Sequence, residues 1–217
     1  MTQRHEFTVT GTELLAESPI LALRRDQVTM PGGSTAHREI VEHFGAVAVV
    51  ALNGAGEVAV VEQYRHAVGR RLLELPAGLL DMAGEDELRC AKRELVEEAG
   101  LEAKQWSVLV DLVTSPGFAE EAVRVFLARD LREVERPPAE EEEADMALSW
   151  MPLDVARGAV MRGEVVNSIA IAGILAASEV IAGRATPRPT DTPFELRPAS
   201  LANRREAAGV TPDMKRI

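Results

Sequence analysis

Residues 85–100 constrain the fold of this chain most, because one helix there has to satisfy two different patterns. At about 100° per residue, its apolar positions fall in one stripe and its later acids in another. The apolar stripe consists of Leu88, Ala91, Leu95 and Ala99, and the acidic cluster consists of Glu94, Glu97 and Glu98. Gly100 is typical of a helix end. We therefore predict a helix over 85–99 that packs on a core and presents carboxylates on its other side.

The acidic residues of this helix form two groups that need different explanations. Those at 85–87 lie in the first turn, where the helix dipole favours negative charge. The acidic cluster lies near the other end, where the dipole disfavours anions, and its members repel one another by roughly 0.2–0.5 kcal/mol per pair. A solvated acidic surface is one interpretation, and a bound divalent cation is the other. Oxygen ligands alone favour Mg²⁺ or Mn²⁺, with a phosphate-bearing substrate completing the coordination shell.

Composition limits the classes of partner. The 217 residues carry a net charge of -11, which argues against nucleic-acid binding, because that binding depends on Lys and Arg meeting phosphates. Cys90 is the only cysteine, so no internal disulfide can form and a reducing, cytoplasmic setting is expected. The polar start of the chain lacks a signal-peptide core, and no apolar run reaches the roughly 18 residues of a membrane span. We therefore expect no nucleic-acid partner and no membrane.

The first part of the chain is predicted to form strands joined by turns. Alternating or apolar residues predict strands over 7–10 and 20–28, and Pro and Gly predict a turn over 31–34. Residues 1–40 are therefore predicted to be a small N-terminal β unit. The apolar runs 46–52 and 58–64 flank a Gly-containing loop, which predicts a hairpin of buried strands.

The remaining pattern mixes strands and helices. Strands are predicted over 106–113, 122–128 and 146–151, and helices over 153–162 and 167–181. Because this order lacks a regular βαβ alternation, we expect an α+β domain over 41–183, built as an α/β/α sandwich around a mixed β-sheet. The tail 184–217 is rich in Pro and Arg, and a packed core is not expected there.

At this point the residues match a family. The run from Gly78 to Glu85, followed by Arg93-Glu94-Leu95-Val96-Glu97-Glu98-Ala99-Gly100-Leu101, closely resembles the Nudix box, with one residue more than usual between Gly78 and Glu85. The resemblance implies the Nudix fold and metal-dependent pyrophosphohydrolase chemistry. It implies metal binding by one backbone carbonyl and by the helix carboxylates, at Ala77, Glu94, Glu97 and Glu98. It also implies a catalytic role for Glu98.

The same resemblance separates residues that shape the box from those that bind the metal. A structural role is implied for Gly78, Glu85, Arg93 and Gly100. The arginine at position 93 is expected to orient a carboxylate of the box and not to touch the substrate.

Two further segments resemble the ADP-ribose pyrophosphatase branch, and actinobacterial members are the most similar. Ser115-Pro116-Gly117-Phe118 places Pro116 sixteen residues after Gly100, and Gln63-Tyr64-Arg65 is followed by Glu74-Leu75-Pro76-Ala77-Gly78. The resemblance implies substrate-binding roles for Arg65, Arg38, Glu74, Pro116, Gly117 and Phe118. Arg65 would contact the diphosphate, and Arg38 would reach the terminal sugar. An exposed strand-end arginine is the alternative for Arg65.

Glu74 has two interpretations. As a substrate residue it would bind ribose hydroxyls or a second metal ion. As a surface residue it would form an ion pair with Arg70 or Arg71.

Hydrolysis also needs a base that activates water. Members of the family carry it on a loop well after the box, where this chain has the acidic run 140–143. Glu143 lies nearest the following strand and is predicted to be the base and a metal ligand, with Glu142 second. Glu121 is a further candidate carboxylate.

The implied reaction is hydrolysis of ADP-ribose to AMP and ribose 5-phosphate with Mg²⁺ or Mn²⁺. A Nudix hydrolase of another nucleoside diphosphate sugar or dinucleotide is one alternative. A non-catalytic ADP-ribose sensor is another. Members of this branch are usually homodimers, and the N-terminal strands are expected to form an arm that contributes to the partner's site.

Overall fold

The computed structural model describes residues 5–138 and 145–216. Its strands are β1 (Val9–Ser18), β2 (Leu21–Thr29), β3 (Thr35–His43), β4 (Ala46–Ala51), β5 (Glu57–Arg65), β6 (Arg70–Glu74), β7 (Ala77–Leu79), β8 (Leu101–Val113), β9 (Ala122–Glu133) and β10 (Ala147–Pro152). Its helices are α1 (Glu87–Ala99), α2 (Leu153–Arg162), α3 (Ser168–Ile181) and α4 (Ser200–Ala207). Within these residues the strands form three sheets, in the orders β1-β2-β3, β10-β5-β6 and β7-β4-β9-β8.

The central strand β4 explains the layered architecture. All six of its residues are buried, and it pairs in parallel with β9 and antiparallel with β7. Alternate side chains enter opposite cores: Ala48 and Val50 pack with α2 and α3, whereas Val47 and Val49 pack with α1. Helices therefore cover both faces of a mixed sheet, and the predicted α/β/α sandwich is confirmed.

The predicted hairpin is wrong. Strand β4 belongs to the four-stranded sheet, whereas β5 pairs with β6 and β10 in another sheet. Among the described residues the two strands share a single bridge, between Leu52 and Val58. The physical reason is that β4 is buried on both faces, which is typical of a strand with a parallel partner, and its partner β9 lies far along the chain.

The N-terminal β unit is an antiparallel sheet of three strands. Strand β1 is longer than the predicted stretch and largely exposed, because few of its side chains meet a core. The third strand, β3, runs across position 40 to His43, and its end contacts the sandwich: the Val41 N–H donates to the Phe118 carbonyl over 2.7 Å.

The prediction that the tail lacks a packed core is wrong for residues 184–216. Helix α4 lies within it, and Leu201 and Met214 are buried against Ala22 and Phe44. Arginine ion pairs supply further anchors, which composition alone does not reveal. On β9, the buried Arg124 binds both carboxylate oxygens of Asp111 through Nε and Nη2, and it donates to the carbonyls of Thr192 and Pro193. From the tail, Arg204 binds the buried Glu42 at 2.7 and 3.0 Å.

Candidate metal centre

Helix α1 positions the acidic cluster. Asp86 precedes it, and its side chain accepts the Arg89 N–H over 2.9 Å, which caps the first turn. Gly100 ends it with φ 63° and donates to the carbonyls of Leu95 and Val96. The helix starts at Glu87, so Glu85 lies just before it. One face packs in the core as predicted, while Glu94 and Glu98 remain only 8% exposed.

The Arg93 side chain links the carboxylates of the box. Its guanidinium contacts Glu85 at 3.1 and 2.9 Å, Glu94 at 2.6 Å and Glu97 at 2.9 Å. A planar, permanently charged fork of this kind fixes the direction of each carboxylate it binds. Arg93 therefore lies among the acids it was expected to orient.

The backbone of β7 approaches α1 closely. The Ala77 N–H donates to Glu98 Oε2 over 2.9 Å. A Cβ at position 78 would lie 1.9 Å from the Glu94 Cδ, so any residue larger than glycine at position 78 would displace the Glu94 side chain. This approach brings the Ala77 peptide, Glu94 and Glu98 together in one place.

The chemistry of these groups suits a hard divalent cation. The pKa of Glu94 is raised to about 7, mainly by burial and also by the charge of Glu97, although Arg93 opposes the rise. Within residues 5–138 and 145–216, no three acidic, His or Cys side chains already converge on one point. The carboxylates instead face Arg93 and the Ala77 amide. Oxygen donors around a buried carboxyl of raised pKa fit Mg²⁺ or Mn²⁺, because a cation favours the ionised form.

Arg65 and Glu74 form a bidentate pair at the junction of β5 and β6. Arg65 Nε lies 3.0 Å from Glu74 Oε1, and Nη2 lies 2.6 Å from Oε2. Glu74 is buried, so the expectation of a surface ion pair with Arg70 or Arg71 is wrong. The reason is that pairing of Val61 with Glu74 turns this side chain inward toward Arg65.

The Pro116 loop lies against β3. Besides the Phe118 carbonyl contact, the Glu120 N–H donates to the Val41 carbonyl over 3.1 Å, and the Phe118 side chain is exposed. Arg38 lies on β3, where its Nη1 donates to the His37 carbonyl over 2.8 Å. Glu142 and Glu143 lie outside the described residues.

Sequence patterns did not identify three contacts on the box. Lys215 Nζ lies 2.6 Å from a carboxylate oxygen of the buried Asp81. Arg197 Nη1 lies 3.2 Å from the Glu85 carbonyl and 2.9 Å from Glu87 Oε1. Both basic residues come from the tail, at sequence separations that no local pattern can report.

Comparison with known proteins identifies the family. The NUDIX domain profile matches residues 42–168, and the chain belongs to the Nudix family. It is 58% identical to an ADP-ribose pyrophosphatase of Mycobacterium tuberculosis over 93% of this chain and 97% of that protein. It is 39% identical to a methanol dehydrogenase activator of Bacillus methanolicus over 67% of this chain and 78% of that protein. The predicted family and its actinobacterial affinity are confirmed.

The fold has a solved counterpart. A crystal structure of an ADP compounds hydrolase superposes with a TM-score of 0.72 at 19% identity, over 85% of this chain and all of that one. This likeness confirms the fold. In the described part of the chain, every helix is too short or too polar to cross a membrane.

Proposed function

We propose that this chain is an ADP-ribose pyrophosphatase that hydrolyses ADP-ribose to AMP and ribose 5-phosphate with Mg²⁺ or Mn²⁺. The proposal rests on the close approach of Glu94, Glu98 and the Ala77 peptide, in a chain 58% identical to a relative named for this activity. A sugar nucleotide or dinucleotide is the alternative substrate, because the proposed metal ligands would engage the diphosphate that all these compounds share.

The proposed metal ligands are the Ala77 carbonyl, Glu94, Glu97 and Glu98. When bound, the cation offsets charge on the diphosphate and makes a water more acidic. Arg93 contacts both Glu94 and Glu97, which offsets the repulsion between these carboxylates and fixes their directions. Glu143, with Glu142 second, is the proposed base that takes the proton of the attacking water.

The substrate is proposed to lie between the box and the N-terminal sheet. Two parallel contacts with Glu74 fix the orientation of the Arg65 guanidinium. A guanidinium oriented in this way is suited to contact a diphosphate. The exposed Phe118 and its neighbours Pro116 and Gly117 are proposed to contact the nucleoside. Arg38 is proposed to reach the terminal sugar.

The test is product analysis by chromatography with Mg²⁺ or Mn²⁺ and a panel of nucleoside diphosphate compounds. We expect AMP and ribose 5-phosphate from ADP-ribose, and a loss of about 100-fold or more in kcat for Glu98→Gln. Glu102→Gln is the matched control, because Glu102 is an exposed residue of β8 paired with Arg132.

Two outcomes would redirect the assignment. Faster turnover of another nucleotide sugar would change the substrate. Binding of ADP-ribose without turnover, unaffected by Glu98→Gln, would make the protein a sensor.

A homodimer is also proposed, with the N-terminal sheet as the arm that meets the partner. Phe7, Val9 and Leu14 are large apolar residues exposed on this sheet or just before it, which supports contact with another chain. Sedimentation of a fully active monomer would refute the proposal. The cytoplasmic location stays a prediction from the single cysteine.

A further inference from the structure

The last described residues of the chain lie against the box. We call residues 209–216 the strap, and residues 80–86, between β7 and α1, the motif loop. The Ala83 N–H donates to the Pro212 carbonyl over 2.8 Å, and the Met214 N–H donates to the Asp81 carbonyl over 3.0 Å. Met82 and Asp213 form an antiparallel bridge between these two contacts. The strap is therefore paired with the motif loop as a short two-stranded ladder.

The strap is also anchored by a buried side chain. Met214 is 2% exposed and packs with Ala22 of β2, Phe44 just after β3 and Leu201 of α4, and Ala83 of the motif loop packs against the same cluster. Since α4 is held to β3 by the Arg204–Glu42 pair, the strap has a support besides its pairing with the motif loop.

Lys215 of the strap forms an ion pair with Asp81 of the motif loop. Its partner Asp81 is 3% exposed, and the two charges lie 2.6 Å apart. Burial lowers the pKa of Lys215, but the ion pair with Asp81 outweighs burial and raises this pKa above its usual value. A buried carboxylate needs such a partner, because burying a lone charge is costly.

Asp81 is connected to the acidic cluster through the backbone of the motif loop and then through a chain of side-chain contacts that starts at Glu85. Asp81 and Glu85 belong to the same short loop, Glu85 binds Arg93 through two contacts, and Arg93 binds Glu94 and Glu97. A cavity of about 640 Å³ separates the strap from this chain of contacts, with Glu85, Arg93 and Glu97 on one wall and the strap on the other. The position of the strap therefore determines both the conformation of the motif loop and the size of the cavity beside the box.

We propose that the strap fixes the motif loop, and that Lys215 is a positioning residue for the metal-binding carboxylates through Asp81, Glu85 and Arg93. The kcat and KM used to test this proposal rest on the proposed function, whereas the hydrogen-exchange measurement does not. Pairing with the strap restricts the conformations that the motif loop can adopt.

The test compares Lys215→Met with Lys215→Arg, which keeps the charge, and with Arg216→Met as matched control. Arg216 neighbours Lys215 but is exposed, and its ion pair is with Asp213, three residues earlier. Hydrogen exchange of the Ala83 and Met214 amides is measured on the full chain without metal. The kcat and KM for ADP-ribose are measured with Mg²⁺.

We expect Lys215→Met to speed exchange of these two amides about tenfold or more, with amides of α3 unchanged. The kcat should fall about tenfold while KM stays within about twofold, because misplaced carboxylates affect the reaction more than substrate binding. Lys215→Arg should restore both quantities, and Arg216→Met should leave both unchanged.

The proposal is overturned if Lys215→Met and Arg216→Met exchange alike, or if exchange speeds up while kcat stays at the value of the unmodified enzyme. If the unmodified protein does not hydrolyse ADP-ribose, the proposed function fails, and the exchange result alone decides whether the strap fixes the loop. If Lys215→Met does not fold, the double variant Asp81→Asn, Lys215→Met removes the unpaired charge. Its kcat must stay reduced for the proposal to hold.

Discussion

At the scale of single residues, Gly78 is the position where the backbone and the acidic cluster meet most closely. Gly78→Ala would place a Cβ 1.9 Å from the Glu94 Cδ, so the Glu94 side chain has to move. We expect kcat to fall about 100-fold, because a shift of about 1 Å in a reacting geometry has that effect. Gly54→Ala is the control, since its Cβ would meet nothing within 4 Å. Equal kcat for the two variants would contradict this placement of Glu94.

His43 makes stability depend on pH. Burial lowers its pKa, although Glu121 and Glu120 raise it, and the Gly45 N–H donates to Nδ1 over 3.2 Å, which requires an unprotonated nitrogen. A lowered folded pKa means that His43 contributes stability above its unfolded pKa of about 6.5, and that this contribution is lost as pH falls.

The His43 prediction is tested by denaturant unfolding at pH values of about 7 and about 5, on either side of the unfolded pKa. We expect His43→Gln to lose less unfolding free energy between the two pH values than the unmodified protein does. His37→Gln, on the same strand but exposed, is the control and should follow the unmodified protein. An identical pH dependence for His43→Gln would contradict the prediction.

Sequence patterns identified some site residues and missed others for a physical reason. Glu94 and Glu98 were predictable, because helical spacing and an unfavourable dipole position are local properties. Lys215 was not, since its partner Asp81 lies more than a hundred residues earlier and meets it only after the strap has packed. The inward turn of Glu74 toward Arg65 depended in the same way on the pairing of β5 with β6.

At the scale of elements, β9 offers a matched pair of arginines. Arg124 is buried and binds Asp111 of β8, whereas Arg132 is exposed and binds Glu102 of the same strand. We expect Arg124→Met to reduce the unfolding free energy by about 3 kcal/mol, because it breaks a buried pair. Arg132→Met should change it by less than about 0.5 kcal/mol. Urea unfolding measures both, and similar losses would contradict the structural role given to Arg124.

The bounds of the helices were predictable because they depend on neighbouring residues, whereas the pairing of the strands depends on distant ones. Helix α2 has the predicted bounds, and α3 begins after Asn167, whose side chain accepts the N–H groups of Ile169 and Ala170. Strand pairing was not predictable, because β4 is apolar on both faces and its sequence does not distinguish β5 from β9 as its neighbour. The packing of α4 was not predictable either, because its arginines pair with carboxylates of strands far away in the sequence.

At the scale of the whole molecule, binding of a divalent cation should stabilise the fold, because only the folded chain brings the carboxylates together. At a cation concentration of about 100 times Kd, we expect a gain of about 2.7 kcal/mol in unfolding free energy. EDTA should reverse the gain, Glu98→Gln should reduce it and Glu102→Gln should keep it. Unfolding curves that do not respond to Mg²⁺ or Mn²⁺ would contradict the metal site.

The docking of α4 has a consequence for how the protein reaches its native state. Arg205 contacts Glu17 across 188 positions, and Arg204 contacts Glu42 across 162. Contacts between such distant residues carry a large loop-closure entropy and form slowly. During refolding, the sandwich should therefore form its helices and strands before α4 docks, and the strap, which follows α4 in the chain, should dock with it. Full activity would then return later than the far-ultraviolet circular dichroism signal.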